Sequence, residues 1–145
     1  PGVIYAFTIS PQPVIERFEH GTPDLESRLK SAAAAMDCGH PVRLCFDPIL
    51  YLPGWQVHYR DMADQVKKQI DLEKLRDISI GSFRISQDYL KKMRRAMPAS
   101  PVVQFPFVNE NGYYSYGKAL SEEMEHYVIK LFSDHVPAER IFQWR

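Results

Sequence analysis

The sequence is short of cysteine, and the pair that it has excludes two kinds of site. Cys38 and Cys45 are the two cysteines of the 145-residue chain. Their spacing fits neither a C-x-x-C pair nor the disulfide framework of a small secreted domain. We therefore expect two free thiols in a reducing compartment.

Net charge and long apolar runs are also missing. Eighteen Lys and Arg residues balance eighteen Asp and Glu residues, so no bulk electrostatic attraction to nucleic acid or to an anionic membrane is expected. No apolar run approaches the roughly 20 residues that a membrane-spanning helix needs, and no signal-peptide pattern is present. We therefore expect a cytoplasmic protein with no membrane partner.

The compact motifs that identify common catalytic sites are absent as well. The sequence has no Walker A loop, no G-x-G-x-x-G fingerprint and no nucleophile elbow. Its five histidines form no H-x-x-x-H or H-E-x-x-H pair, and His20 beside Glu19 is a weak signal on its own. We predict no metal site within the chain.

What the chain does contain is a regular alternation of strand and helix patterns. Apolar runs predict strands at residues 3–9, 41–46, 78–83, 102–108 and 139–144, and helical periodicity predicts helices at residues 14–19, 24–37, 56–70, 87–97 and 121–134. The first run is almost entirely apolar, which is typical of a strand buried on both faces. The pattern indicates one α/β domain over residues 1–145. It fits either a partial (βα) barrel or an open parallel sheet of about four to five strands with flanking helices.

Polar side chains follow the predicted strands at the edge where parallel α/β sheets bind ligands. Thr8 and Ser10 close the first strand two residues apart, which suits either hydrogen bonding to a ribose or an amino-acid group, or turn chemistry before Pro11. Asp47 closes the second strand between apolar neighbours, so its carboxylate is expected to be functional, paired or a cap of the next loop. Arg84 follows the third strand and suits either binding of a carboxylate or phosphate, or a structural bridge to Asp47.

Two further clusters lie outside these strand ends. One is a basic run in the helix predicted at residues 87–97: Lys91, Lys92, Arg94 and Arg95. Such a run suits a solvated helix face or contact with DNA phosphates. The other is a set of aromatic residues in a polar loop that turns at Asn111-Gly112: Tyr113, Tyr114 and Tyr116. These rings suit core packing or the stacking of bases.

Several motifs, taken in order, resemble those of the spore photoproduct lyase-like radical S-adenosylmethionine (AdoMet) proteins. The end of the first strand and the loop after it are similar to the family's S-I-N and E-x-G-T segments, here Thr8-Ile9-Ser10 and Glu19-His20-Gly21-Thr22. The second strand end and the next helix are similar to its A-P-I-Y and G-W-x-x-x-Y, here Asp47-Pro48-Ile49 with Tyr51, and Gly54-Trp55 with Tyr59. The resemblance is strongest over residues 7–59.

The resemblance implies that the chain is the carboxyl-terminal half of a partial TIM barrel. In that family the amino-terminal half carries C-x-x-x-C-x-x-C, whose thiolates bind a 4Fe–4S iron–sulfur cluster, and the cluster and AdoMet together generate a 5′-deoxyadenosyl radical. Thr8 and Ser10 stand where the family's strand end faces AdoMet. Asp47 takes the place of an alanine, so the substrate pocket that it would line with Arg84 is expected to differ from that of thymine-dimer repair.

The chain contains no C-x-x-x-C-x-x-C, so the resemblance implies a fragment of a DNA photoproduct lyase that is inactive without its cluster-binding half. We expect no cofactor in this chain alone. The expected partners are the missing half of the barrel, DNA in the intact enzyme and, through an exposed sheet edge, a second copy of the chain. The alternative is a self-sufficient α/β binding or interaction module without radical chemistry, in which Asp47 and Arg84 form a structural pair.

Overall fold

The computed structural model of the chain describes residues 3–19 and 21–143. His20, and Trp144 at the end of the last predicted strand, lie outside the described residues. The strands and helices follow in the order β1 (Tyr5–Thr8), α1 (Gln12–Phe18), α2 (Leu25–Asp37), β2 (Val42–Ile49), α3 (Trp55–Gln69), β3 (Asp77–Ser82), β4 (Arg84–Ser86), α4 (Gln87–Ala96), β5 (Val108–Glu110), β6 (Tyr113–Ser115), α5 (Lys118–Phe132) and β7 (Ile141–Gln143). Two short 3₁₀ turns, Leu72–Lys74 and Ala138–Arg140, precede β3 and β7.

Four of the strands form one parallel sheet in the order β1-β2-β3-β7. Helical segments connect successive strands, as parallel pairing requires. The α/β class and the parallel sheet predicted from the sequence are therefore confirmed. The closing strand predicted near the carboxyl terminus is also present, where Ile141 pairs with Ile78.

The helices α2 and α5 pack against this sheet, α2 on β1 and β2 and α5 on β3, whereas α4 packs on β4 and β6. On the opposite face, called here the uncovered face, Thr8 is exposed and Arg43 and Cys45 are half-buried. On the covered face, Leu44 and Phe46 are buried and pair with Ile78 and Ile80. The core continues into α5, whose Phe132 ring stacks on Phe46 at 4.9 Å between centroids. The helix α3 turns its buried side chains toward the same core: Trp55, Tyr59, Met62, Ala63 and Val66. No helix in the described ranges is both long and apolar enough to cross a membrane.

The uncovered face of the sheet is mostly polar, although Phe142 pairs with Ser79 on it and is 49% exposed. Strand register places Thr8 beside Cys45, and Arg43 beside Asp77, on this face. The Arg43 guanidinium donates to both carboxylate oxygens of Asp77. The prediction that the first strand is buried on both faces is wrong, because β1 is an edge strand and three of its four residues are exposed. A sheet covered on one side only is the arrangement that an arc of a barrel would have.

The prediction of a fourth strand at residues 102–108 is wrong. Residues 101–105 form turns, and Val108–Glu110 joins a separate antiparallel sheet in the order β4-β6-β5. Arg94 explains the turns, because its guanidinium binds the backbone carbonyls of Val103 at 3.1 Å and Phe105 at 2.9 Å. The predicted turn at Asn111-Gly112 is confirmed as the tip of the β5–β6 hairpin, with both residues at positive φ.

Candidate functional site

The carboxyl ends of the parallel strands carry the polar side chains singled out in the sequence. Thr8 is the last residue of β1 and is exposed on the uncovered face. Ser10, two residues later, is 5 % exposed, so Thr8 is the accessible hydroxyl of the two. Asp47 lies near the end of β2, and Arg84 opens β4 two residues after β3 ends.

Asp47 lies against the backbone of Gly81 on the neighbouring strand. A methyl group on Gly81 would sit 2.9 Å from Asp47 Oδ1, so the carboxylate occupies the space that any other residue at 81 would fill. Asp47 is more exposed than its apolar sequence neighbours predicted. Partial desolvation, and then the nearby charge of Glu125, raise the pKa of the Asp47 carboxyl above its ordinary value.

Glu125 is the residue of this site that the sequence analysis missed. It belongs to α5 and is 2 % exposed. Ser82 Oγ donates to its Oε2 at 2.9 Å, and Gln143 Nε2 donates to its Oε1 at 3.2 Å. The signal was present in the helical spacing, because Glu125 falls four residues after Ser121 and three before Val128, on the buried side of α5.

Arg84 lines an open cavity of about 350 Å³ beside this carboxylate. Its walls also include Ser82, Ser115, Lys118 and Glu125. Arg84 and Asp47, both described, form no ion pair with each other; the ion pairs of the described residues lie elsewhere. The structural bridge between them, the alternative interpretation of the sequence, is therefore wrong.

The E-x-G-T segment has a structural explanation. Arg28 of α2 is the centre of this loop: its guanidinium binds the Glu19 carboxylate and the Thr22 hydroxyl, each at 2.9 Å. The same group donates to the carbonyls of Thr8 at 3.1 Å and Pro23 at 2.9 Å. Glu19 and Thr22 therefore hold the arginine that fixes the end of β1.

The segments Pro48-Ile49 and Gly54-Trp55 also lie where hydrogen bonds and packing hold the backbone in place. The Leu50 amide donates to the Tyr59 hydroxyl at 2.9 Å, and the Tyr51 amide donates to the Tyr116 hydroxyl at 2.8 Å. Trp55 is buried and meets Tyr127 edge-on. Burial raises the pKa of the Tyr59 phenol, and raises the pKa of Tyr116 to about 12. Together these contacts hold the loop that follows Asp47.

Comparison with known proteins assigns the family. The family model described as spore photoproduct lyase matches residues 3–136. The chain belongs to the spore photoproduct lyase family. Spore photoproduct lyases of Bacillus subtilis (strain 168) and Clostridium acetobutylicum are each 24% identical to it, over 144 and 131 residues. The resemblance found in the sequence is thereby confirmed.

Solved structures of spore photoproduct lyase share the fold of this family member. A double mutant with bound AdoMet and dinucleoside spore photoproduct superposes with a TM-score of 0.80. A complex of spore photoproduct lyase with dinucleoside spore photoproduct superposes with a TM-score of 0.77, and both are 19% identical to this chain. Each match covers 97% of this chain and 43% of the solved chain. The sequence matches cover 88% and 87% of this chain but 41% and 38% of the relatives. The chain thus spans about two fifths of the length of the curated relatives it matches.

The cysteines of this spore photoproduct lyase-like chain do not fit an iron–sulfur cluster. Cys38 is exposed at the end of α2, and Cys45 is half-buried on the uncovered face of the sheet. Within the described ranges no three His, Cys, Asp or Glu side chains come together as metal ligands. We therefore assign no step of a reaction to a cluster held by these residues.

Proposed function

We propose that this chain forms part of the active-site wall of an AdoMet-dependent lyase that acts on a DNA photoproduct. The uncovered polar face of the parallel sheet is the observation that carries the proposal. Its carboxyl edge bears the hydroxyl of Thr8 and the carboxylate of Asp47, with the guanidinium of Arg84 just beyond β3. The fold match to a lyase with bound AdoMet and dinucleoside spore photoproduct supports this assignment.

The proposal divides the edge between cofactor and substrate. Thr8, with Ser10 behind it, would bind AdoMet by hydrogen bonding at the end of β1. Asp47 and Arg84 would line the substrate pocket. The carboxylate oxygens of Asp47 would accept a hydrogen bond from an N–H group of a base, and the guanidinium of Arg84 would donate to a base carbonyl.

The remaining parts of the reaction lie outside these residues. In the radical AdoMet enzymes that the sequence resembles, the cluster and AdoMet supply a 5′-deoxyadenosyl radical. We propose that segments matching the rest of the relatives' length supply the cluster ligands, and that this chain alone has no lyase activity. Iron–sulfur reconstitution of the chain is then expected to give no stoichiometric cluster, and a stoichiometric cluster would contradict this division.

Nuclear magnetic resonance of the full chain tests the edge assignment. AdoMet and dinucleoside spore photoproduct are titrated separately into ¹⁵N-labelled protein. AdoMet is expected to shift the amides around Thr8, and the dinucleoside those around Asp47 and Arg84. Thr8→Val is expected to remove the first response and Asp47→Asn to weaken the second, whereas Asp64→Asn, an exposed change on α3, leaves both intact.

Other results would contradict the proposal. Shifts confined to the helical layer, or no shifts at saturating ligand, would place the cofactor and the lesion elsewhere. Cleavage of the dinucleoside by the chain alone, detected by chromatography, would refute the proposed dependence on further segments.

A further inference from the structure

The cavity of about 350 Å³ beside Arg84 opens at the start of α5. One wall is the small antiparallel sheet, in which Arg84 pairs with Ser115 and the neighbouring strand carries Glu110. The other wall is the first turn of α5, with Lys118 and Ser121. The function proposed above uses Arg84 alone among these side chains, so the other wall residues have no part in it.

The amino-terminal end of α5 attracts an anion. The N-cap position is Gly117, which has no side chain to bond the first amides, and the first turn contains no acidic residue. The first amides of a helix have no partner within the helix, and they form the positive end of its dipole. Lys118 adds a full positive charge at the position where a carboxylate is usually favoured.

Ser121 provides an independent observation in the same cavity. Its side chain is buried, with 8% of the residue exposed, and its hydroxyl makes no hydrogen bond to any residue that the structure describes. Because no unbonded side-chain oxygen among those residues is sealed from solvent, the Ser121 hydroxyl reaches the cavity that it lines. A buried hydroxyl without a partner is unfavourable, so an acceptor in the cavity would stabilise it.

The charges around the cavity select the kind of anion. Arg84, Lys118 and Glu110 take part in no ion pair within the described ranges. Glu110 and Glu125 both line the cavity, so a doubly charged phosphate would meet two carboxylates. A ligand with one carboxylate and one ammonium group matches both signs of charge, and the volume suits a small molecule.

We propose that this cavity binds a free amino acid. The carboxylate of the ligand would lie at the first amides of α5, where the Ser121 hydroxyl and the Lys118 ammonium donate to it. The ammonium of the ligand would face the carboxylate of Glu110. The inference goes beyond the proposed function and stands without it, because the residues that it uses bind neither AdoMet nor the lesion in that proposal.

Nuclear magnetic resonance of the ¹⁵N-labelled full chain tests the cavity with L-serine as the probe. L-Serine is expected to shift the amides of residues 118–121. Two analogues remove one charge each: ethanolamine lacks the carboxylate, and glycerate has a hydroxyl in place of the ammonium. Each is expected to bind about fivefold or more weakly than L-serine, because one charged contact is lost. Inorganic phosphate is also expected to bind more weakly.

Substitutions in the first turn of α5 test the two donors. Ser121→Ala is expected to weaken L-serine binding by about tenfold, since a hydrogen bond to a charged group is lost. Lys118→Gln is expected to weaken it by about threefold. Ser133→Ala and Lys130→Gln are the matched controls, because both residues are exposed at the other end of α5, and they are expected to leave binding unchanged. Thermal unfolding of each variant checks that the fold is intact.

Four results would overturn the proposal: no shift with L-serine, wild-type affinity in Ser121→Ala, equal binding of either analogue, or tighter binding of phosphate. Shifts of the same amides by AdoMet would place the amino-acid group of the cofactor in the cavity and would also overturn it.

This proposal and the lyase function fail separately. L-Serine binding that depends on Ser121 supports the cavity even when AdoMet and the dinucleoside give no response. Shifts around Thr8 and Asp47 without L-serine binding would leave the lyase site standing and remove the amino-acid site.

Discussion

Replacing Arg28 tests whether the E-x-G-T segment is structural. Its guanidinium makes four hydrogen bonds, to the carboxylate of Glu19, the hydroxyl of Thr22 and the carbonyls of Thr8 and Pro23. The side chain is 10% exposed and that of Glu19 is 28% exposed. Arg28→Ala therefore leaves a partly buried carboxylate without its cation and releases the end of β1.

The expected cost follows from that burial. Breaking a buried ion pair from one side costs about 3–5 kcal/mol, and exposed pairs contribute about 0.2–1 kcal/mol. Because the Arg28–Glu19 pair is closer in exposure to a buried pair than to an exposed one, we expect Arg28→Ala to lower the free energy of unfolding by about 2–3 kcal/mol. In a domain of this size the melting temperature then falls by roughly 6–12 °C. Arg28→Lys keeps the charge but not the planar fork, so we expect an intermediate loss.

Urea unfolding followed by circular dichroism measures these losses. Lys30→Ala is the matched control, because Lys30 lies on the same helix and pairs with Glu26 at 3.3 Å, with side chains 70% and 64% exposed. Its expected cost is about 0.3–0.5 kcal/mol. If Arg28→Ala cost no more than Lys30→Ala, the reasoning that makes this loop a structural clamp would be refuted.

Three further predictions concern the carboxyl edge and the loop beside it. The pKa of Asp47 is raised in the folded state, so protonation of Asp47 favours folding, and wild-type stability falls as pH rises through that pKa. In calorimetry, the melting temperature of Asp47→Asn is expected to exceed that of the wild type at neutral pH and to equal it below about pH 3. Glu125→Gln is expected to lower the pKa of Asp47 in a ¹³C NMR titration of its carboxyl, and an unchanged value would contradict the charge coupling. Tyr116→Phe leaves the Tyr51 amide without its acceptor and is expected to cost about 1–2 kcal/mol in urea unfolding. Because folding raises the Tyr116 pKa to about 12, the wild type is expected to lose stability between about pH 10 and pH 12 and the variant to lose less.

The parallel sheet could be predicted because its signals are local. Apolar runs of strand length alternate with helical periodicity, and Ser86 marks the start of α4 with a side chain that caps it. The strand predicted at residues 102–108 failed because burial does not require a strand. Val102 and Val103 are buried in turns, and the carbonyls of that segment are satisfied by Arg94, a distant group that no local pattern reveals.

The sequence predicted polar side chains at the carboxyl ends of the strands, where the structure has them, but it could not predict their contacts. The rule that parallel strands place ligands at their carboxyl ends picked out Thr8, Asp47 and Arg84. The rule could not show that Asp47 lies against Gly81, because that contact depends on strand register. Nor could it show that Glu125 lies near Asp47, because that depends on the packing of α5. The pairing of Asp47 with Arg84 failed for the same reason: opposite charges near one edge need not be within contact distance.

The residues that carry the family resemblance and those proposed to meet ligands differ in what they do. Arg28, held by Glu19, secures the end of β1, and Tyr59 secures the loop after β2. These contacts fix the backbone at the carboxyl edge of the sheet, and their side chains are not among those proposed to bind ligands there. The departures that the sequence resemblance implies, Thr8 and Ser10 within the S-I-N segment and Asp47 in place of an alanine, fall at the carboxyl ends of β1 and β2. A scaffold that positions the edge independently of its side chains allows such substitutions at little cost in folding, so the difference in substrate pocket is expected to centre on Asp47.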